Sequence, residues 1–247
     1  MSPQWLLGVE TSAARGSVCL WRGDRLLESR LLSAERRHAS ELFPLIAELL
    51  SRHGRRAAEL DVLCWSQGPG SFTGLRISAA LARMLMAVAG CRVVAVPTLE
   101  VIARNALRLN PRPGRLAVML DARGGLAYAA AFNLRPDGAL DALAPAAAVA
   151  PAEFLAGIAP PFVALGAGVA PHRERVVAAG GRVAPEDYWR PLAEEVVGAA
   201  RPLIVAGRFL ERQQVLPLYV RPPECEQVYE QRRAAARQRA FGGAGDA

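Results

Sequence analysis

The residues most able to do chemistry stand together in Gly68-Pro69-Gly70-Ser71-Phe72-Thr73-Gly74-Leu75-Arg76-Ile77-Ser78. Glycine admits positive φ and close backbone approach, and proline fixes φ. The segment therefore reads as a pre-shaped turn from the apolar run Val62–Ser66 into an apolar helix over 75–88. Ser71 or Thr73 can cap that helix. Its first N–H groups could hold an anion or a partner's carbonyl groups. A P-loop requires Gly-Lys-Ser/Thr, and all 30 basic residues of this chain are arginine. The third glycine falls one residue too late for the dinucleotide fingerprint, and Pro69 and Thr73 occupy the positions that a nucleophile elbow reserves for glycine. Ser71 or Thr73 as a nucleophile would need an activating base. None of the three histidines, His38, His53 and His172, has an acid beside it in a recognisable pattern. Capping and turn formation are thus the favoured roles of these hydroxyls.

Three short apolar segments, Trp5–Val9, Ser17–Trp21 and Arg25–Leu32, separated by turns at Gly16 and Gly23-Asp24, predict a strand meander. Leu42, Leu45, Ile46, Leu49 and Leu50 recur at helical spacing and predict a helix over 38–52. A strand over 92–96 and a helix over 98–109 capped by Thr98 complete the first part. Asn110-Pro111-Arg112-Pro113-Gly114 then breaks the chain. The second part opens as the first did. Strand Leu116–Leu120 ends at Asp121 and turns through Arg123-Gly124, as Leu6–Val9 ends at Glu10 and turns through Arg15-Gly16. This is the trace that a duplicated fold would leave. A strand over 162–165 and a helix over 191–207, kinked or split at Pro202, follow, while 144–161 lacks a clear pattern.

Together, the Gly-rich string and four stretches in order resemble the TsaB (YeaZ) family, non-catalytic subunits of the bacterial machinery that makes threonylcarbamoyladenosine in tRNA. The four are Gly8-Val9-Glu10-Thr11-Ser12, Arg37-His38-Ala39-Ser40-Glu41-Leu42-Phe43-Pro44, Asp121-Ala122-Arg123 and Pro217-Leu218-Tyr219-Val220-Arg221. The resemblance covers roughly residues 5 to 222. It implies a two-lobed α/β fold of the actin-like, Hsp70-like, sugar-kinase-like kind, built of two ribonuclease-H-like halves. The expected division is an N-terminal lobe over 1–109, a C-terminal lobe over 110–222 and a tail over 223–247.

The resemblance also implies a scaffold with no cofactor and no metal of its own. It would bind a TsaD-type catalytic subunit through two helices, at His38, Leu42, Phe43, Ile46, Leu75 and Ile77. Leu81 and Leu85 join these by helical spacing alone. A TsaE-type ATPase would join through the complex, tRNA would be met indirectly, and a homodimer could form through the same helices. Acids at the positions of Glu10 and Asp121 serve magnesium–ATP chemistry in catalytic relatives of this fold. Here Glu10, Thr11, Asp121 and Arg123 are read as a degenerate cleft, since Thr11–Arg15 lack a phosphate-cradling glycine pair. The His-x-x-x-His metal pair of TsaD is missing, because Leu42 stands four residues after His38. Two enzymatic readings remain as rivals, a peptidase or acyl-transferase using the Gly-rich turn, and a sugar-kinase-like ATP hydrolase.

Composition sets the remaining bounds. The 247 residues suffice for one large or two small cored domains. Net charge is +7, but the arginines are scattered, which favours compositional drift over a nucleic-acid face. The exception is the tail, where Arg232, Arg233, Arg237 and Arg239 precede a Gly-rich end, and there a frayed helix is expected. The widely spaced cysteines read as buried thiols of a reducing compartment. No basic leader or uninterrupted apolar span of ~18 residues is apparent, so a cytoplasmic protein without membrane contact is expected.

Overall fold

The computed structural model describes residues 4–33 and 38–221, with the backbone alone for His38 and Ala39. Among the described residues the chain forms two five-stranded mixed sheets. The first holds β1 (Trp5–Glu10), β2 (Ser17–Arg22), β3 (Arg25–Leu31), β4 (Val62–Gly68) and β5 (Arg92–Pro97) in the order β3-β2-β1-β4-β5. Strands β1, β2 and β3 pair antiparallel, while β4 and β5 continue parallel to β1. The second sheet holds β6 (Arg115–Asp121), β7 (Ala127–Leu134), β8 (Leu140–Val149), β9 (Phe162–Leu165) and β10 (Gly181–Val183). Read from its other edge, its order is β8-β7-β6-β9-β10, with the same sequence of antiparallel and parallel pairings. Strand for strand this is the first sheet again. The fold is therefore the duplicated ribonuclease-H-like architecture of actin-like proteins, and the Glu10 and Asp121 repeat falls at equivalent strand ends.

Helices complete the layers. They are α1 (His38–Arg52), α2 (Phe72–Ala89), α3 (Thr98–Arg104), α4 (Pro151–Ala156), α5 (Arg173–Ala178) and α6 (Ala193–Val205). Helices α1 and α2 lay Leu42, Ile46, Leu49, Leu81 and Leu85 on one face of the first sheet, against Leu7, Leu20, Leu63 and Trp65. The opposite face is covered by α6, whose Ala193, Val196, Val197 and Ala200 pack on Leu6, Cys19, Cys64 and Val94. Each such valine contributes about 1.5–3 kcal/mol by burial. Gly8 allows the close approach, since a Cβ there would sit 2.7 Å from Ala193 O. Conversely α3 sends Leu99, Ile102 and Ala103 into the core of the second sheet, joined by Ala106 of the turn that follows it. Each sheet thus borrows a helix from beyond the other. The two helices are tied where Arg104 Nε donates to Glu195 Oε2 at 3.2 Å, and just past α3 Asn105 Nδ2 donates to the carbonyl groups of Tyr188 and Arg190, ahead of α6, at 2.9 and 2.8 Å.

Some local expectations are corrected. Pro97 rather than Thr98 holds the N-cap position of α3, with no side-chain cap, and the buried Thr98 hydroxyl makes no hydrogen bond. A short 3-10 segment, Asn105–Arg108, ends the helix expected to run to 109. Pro202 lies within a continuous α6. The unpatterned stretch 144–161 contains most of β8 and all of α4. Helix α2 spans 18 residues with mean hydropathy 1.4, long and apolar enough by length and composition to cross a membrane. It carries Arg76 and Arg83, and one of its faces packs on the sheet. The arginine-rich tail and Cys225 lie outside the described residues.

Candidate functional site

Strand β4 ends at Gly68 with φ of 123° and feeds the glycine-rich turn. The turn is folded hard against the loop after β1. Cβ atoms added at Gly70 and Gly74 would fall 2.3 Å from Ser12 O and 1.9 Å from Thr11 O, inside any permitted contact. Ser71 N donates to Ser12 O at 2.7 Å, and Thr11 Oγ1 donates to Gly74 O at 2.8 Å. Ser71 is the N-cap of α2, its Oγ accepting from Gly74 N at 3.2 Å. The segment around Leu218 braces the end of β4 just before the turn, with Leu218 N donating to Gln67 O at 2.7 Å. Beyond it the Arg76 guanidinium lies 3.8 Å from the Phe72 ring centroid, a cation–π contact, and Arg76 Nε donates to the Tyr219 hydroxyl at 3.1 Å. The glycines, the cap and Arg76 thus hold one another. Two of the turn's N–H groups, those of Ser71 and Gly74, are spent inside the chain rather than offered to an anion.

A cleft of about 910 Å³ opens between this turn and the end of β6. Ser71, Thr73, Asp121, Arg123, Tyr219 and Arg221 are among its walls. Glu10 and Thr11, expected beside Asp121, are not. Both are fully buried behind the wall, and Ser12 takes their place at the surface of the cleft. Glu10 Oε1 accepts from Ser12 N at 2.5 Å and from the Ser12 hydroxyl. Its Oε2 and the neighbouring Ser66 hydroxyl are buried without a hydrogen bond of good geometry. Burial pushes the Glu10 carboxyl above its ordinary value, opposed by the Ser12 and Ser66 side chains. Asp121 is exposed and accepts from Arg123 N at 2.8 Å, with Arg123 in the left-handed region at φ 59°. The two acids therefore do not converge on one ion. Among the described residues no group of three His, Cys, Asp or Glu side chains could hold a metal.

No histidine or carboxylate hydrogen-bonds the Ser71 or Thr73 hydroxyl among the described side chains, although Asp121 lines the same cleft. His53 lies 3.0 Å from Glu28 Oε2, between α1 and β3, and His172 precedes α5. The His38 side chain lies outside the described residues.

The helix face needs the largest correction. Leu42, Ile46, Leu75, Leu81 and Leu85, expected to meet a partner, are 0–5% exposed and belong to the chain's own core. Helical spacing marks an apolar stripe but cannot say which stripe meets the sheet, and here the leucine stripe does. The outward face carries Phe43 at 39%, Met84 at 43% and Val88 at 70% exposure, with Ile77 half-buried and Ala80 and Ala87 exposed. Of the seven expected interface residues whose side chains are described, Phe43 is exposed, Ile77 is half-buried and the other five are buried. The signal for the outward face was present as a second stripe, at 73, 77, 80, 84, 87 and 88, beside the buried one.

A family model described as TsaD, tRNA N6-adenosine threonylcarbamoyltransferase, matches residues 32–185. The Escherichia coli (strain K12) protein named tRNA threonylcarbamoyladenosine biosynthesis protein TsaB is 25% identical over 219 residues, covering 87% of this chain and 94% of that one. The protein of the same name from Haemophilus influenzae is 34% identical over 124 residues, 50% of this chain and 51% of its own. The solved structure of YeaZ from Pseudomonas aeruginosa superposes with a TM-score of 0.73 at 26% identity, covering 87% of this chain and 99% of that one.

Proposed function

This chain belongs to the TsaB (YeaZ) family, and from that premise we propose that it is a non-catalytic scaffold in the biosynthesis of threonylcarbamoyladenosine in tRNA. Its partner is a TsaD-type catalytic subunit, which it holds in an active arrangement. A TsaE-type ATPase and tRNA are met through that complex, and the scaffold works in the cytoplasm, dimerising through the same helices when the partner is lacking. The observation that carries the reading is the two-sided character of α2. One face is sealed on its own sheet, while Ala80, Met84 and Val88 present a second apolar surface to solvent, with Ile77 half-buried, and Phe43 of α1 is exposed as well. Exposed apolar surface of this kind suits a partner, and methionine suits an adaptable contact. The internal engagement of Ser71 as a cap and the burial of Glu10 favour a scaffold over a peptidase, an acyl-transferase or an ATP hydrolase.

Size-exclusion chromatography with light scattering, on the protein alone and mixed with the TsaD-type subunit of the same organism, tests this. A co-eluting complex is expected, lost with Met84→Asp or Ala80→Asp, which place a charge on the outer face without opening the core. Absence of a complex with folded partner, nucleotide and TsaE-type subunit would overturn the scaffold reading. Turnover that falls by orders of magnitude in Ser71→Ala would overturn the non-catalytic one, because loss of a cap alone costs about 1 kcal/mol.

A further inference from the structure

The half of the chain built on β6–β10 holds a second cavity, which shares no lining residue with the cleft. Its volume is about 490 Å³, within the roughly 300–1,000 Å³ typical of small-molecule sites. Its apolar lining includes the small side chains of Ala131 and Ala144 and the larger ones of Phe154 and Ile158. Two charged residues complete the lining, Arg115 and Glu153. The Arg115 guanidinium is anchored by one N–H donated to Ala159 O, which leaves further donors on the same rigid fork. Glu153 stands exposed at the rim of the cavity, and its carboxylate forms no hydrogen bond or ion pair among the described residues, with Arg115 or any other.

Two opposite charges, the half-buried Arg115 and the exposed Glu153, thus flank one apolar depression without meeting each other. A simple carboxylate would satisfy Arg115 but sit in the repulsive field of Glu153, and a simple amine would meet the reverse. A zwitterion with an apolar body satisfies both. We propose that this cavity binds an apolar zwitterion of the amino-acid or dipeptide class, its carboxylate on Arg115, its ammonium on Glu153 and its side chains against Phe154 and Ile158. Arginine is suited to this role because its fork can hold a carboxylate through two parallel hydrogen bonds.

The test is titration of the full chain with L-leucine and L-leucyl-L-leucine, by calorimetry and ligand-observed NMR. N-acetylated and C-amidated forms are the controls. Saturable binding of a parent compound is expected, weakened at least tenfold by acetylation, by amidation and by filling the cavity in Ala144→Leu. Glu153→Gln is expected to weaken the parent but leave the N-acetyl form unchanged. Circular dichroism of each variant reports that the fold is kept. Absence of binding at millimolar ligand, equal affinity for the blocked forms, or undiminished binding to folded Ala144→Leu would each overturn the proposal.

Discussion

Replacing Gly74 with alanine sets two physical effects against each other. Gly74 is the third residue of α2, and within a helix alanine is favoured over glycine by about 1 kcal/mol. Propensity alone therefore predicts a more stable protein. The added Cβ, however, would lie 1.9 Å from Thr11 O, which is backbone and cannot rotate away. Either the turn or the loop after β1 must move. Relief of such overpacking costs about 1–3 kcal/mol. The movement also strains two hydrogen bonds, Thr11 Oγ1 to Gly74 O at 2.8 Å and Ser71 N to Ser12 O at 2.7 Å. At about 1 kcal/mol each, their loss brings the gross cost to about 3–5 kcal/mol. The propensity gain offsets only about 1 kcal/mol of that, so the net expectation is a loss of about 2–4 kcal/mol. In a chain of this size that lowers Tm by roughly 4–16 °C. Urea and thermal melts measure it, with Gly114→Ala as control, because nothing lies within 4 Å of a Cβ there. If Gly74→Ala is neutral or stabilising, the tight packing of turn on loop is wrong, and the glycine-rich string needs a reason outside the fold.

Leu81→Asp and Met84→Asp should part company, although both lie on α2. The first buries a charge in a 1% exposed core position and should abolish folding, while the second should melt within about 1 kcal/mol of the parent. Arg104→Met should cost about 1.5–3 kcal/mol in urea melts, since it removes a charged hydrogen bond and leaves the Glu195 carboxyl raised by burial without its main offset. The Glu10 carboxyl is also raised, so the folded state holds its proton more tightly than the unfolded chain does. Its contribution is complete below the ordinary carboxyl range and is lost as pH rises through the raised folded value. Glu10→Gln should therefore gain on the parent in paired urea melts as pH rises above the ordinary carboxyl range, and a pH-independent difference would contradict the burial argument. Burial pushes the Cys91 thiol up to about 12 and raises Cys19 and Cys64 as well. In a Cys225→Ser background, a thiol reagent should thus react only as the protein unfolds.

Much of the fold is legible in the sequence because its signals are local. The Val62–Ser66 run, the glycines and the capping Ser71 specify strand, turn and helix within a few residues of one another. The Glu10 and Asp121 echo marks the duplication, and the matching strand orders of the two sheets bear that out. Strand β8 and helix α4 were not legible, because alanine-rich segments carry little periodic contrast between buried and exposed positions.

What the sequence by itself determined is the family, the duplicated α/β architecture and the position of the turn, since each rests on residue types at short or fixed separations. Tertiary structure alone decided which stripe of α1 and α2 was already taken. Leu42, Ile46, Leu75, Leu81 and Leu85 are taken up by the chain's own core, so Phe43 and Met84 face outward and Ile77 is left half-buried. It also decided that Glu10 turns into the interior toward Ser12 while Asp121 stays in the cleft, and that α3 and α6 cross to the opposite sheets. These outcomes depend on contacts between residues as far apart as Gly8 and Ala193. No local pattern encodes which of two apolar surfaces finds the other first, and only the packed chain settles the choice.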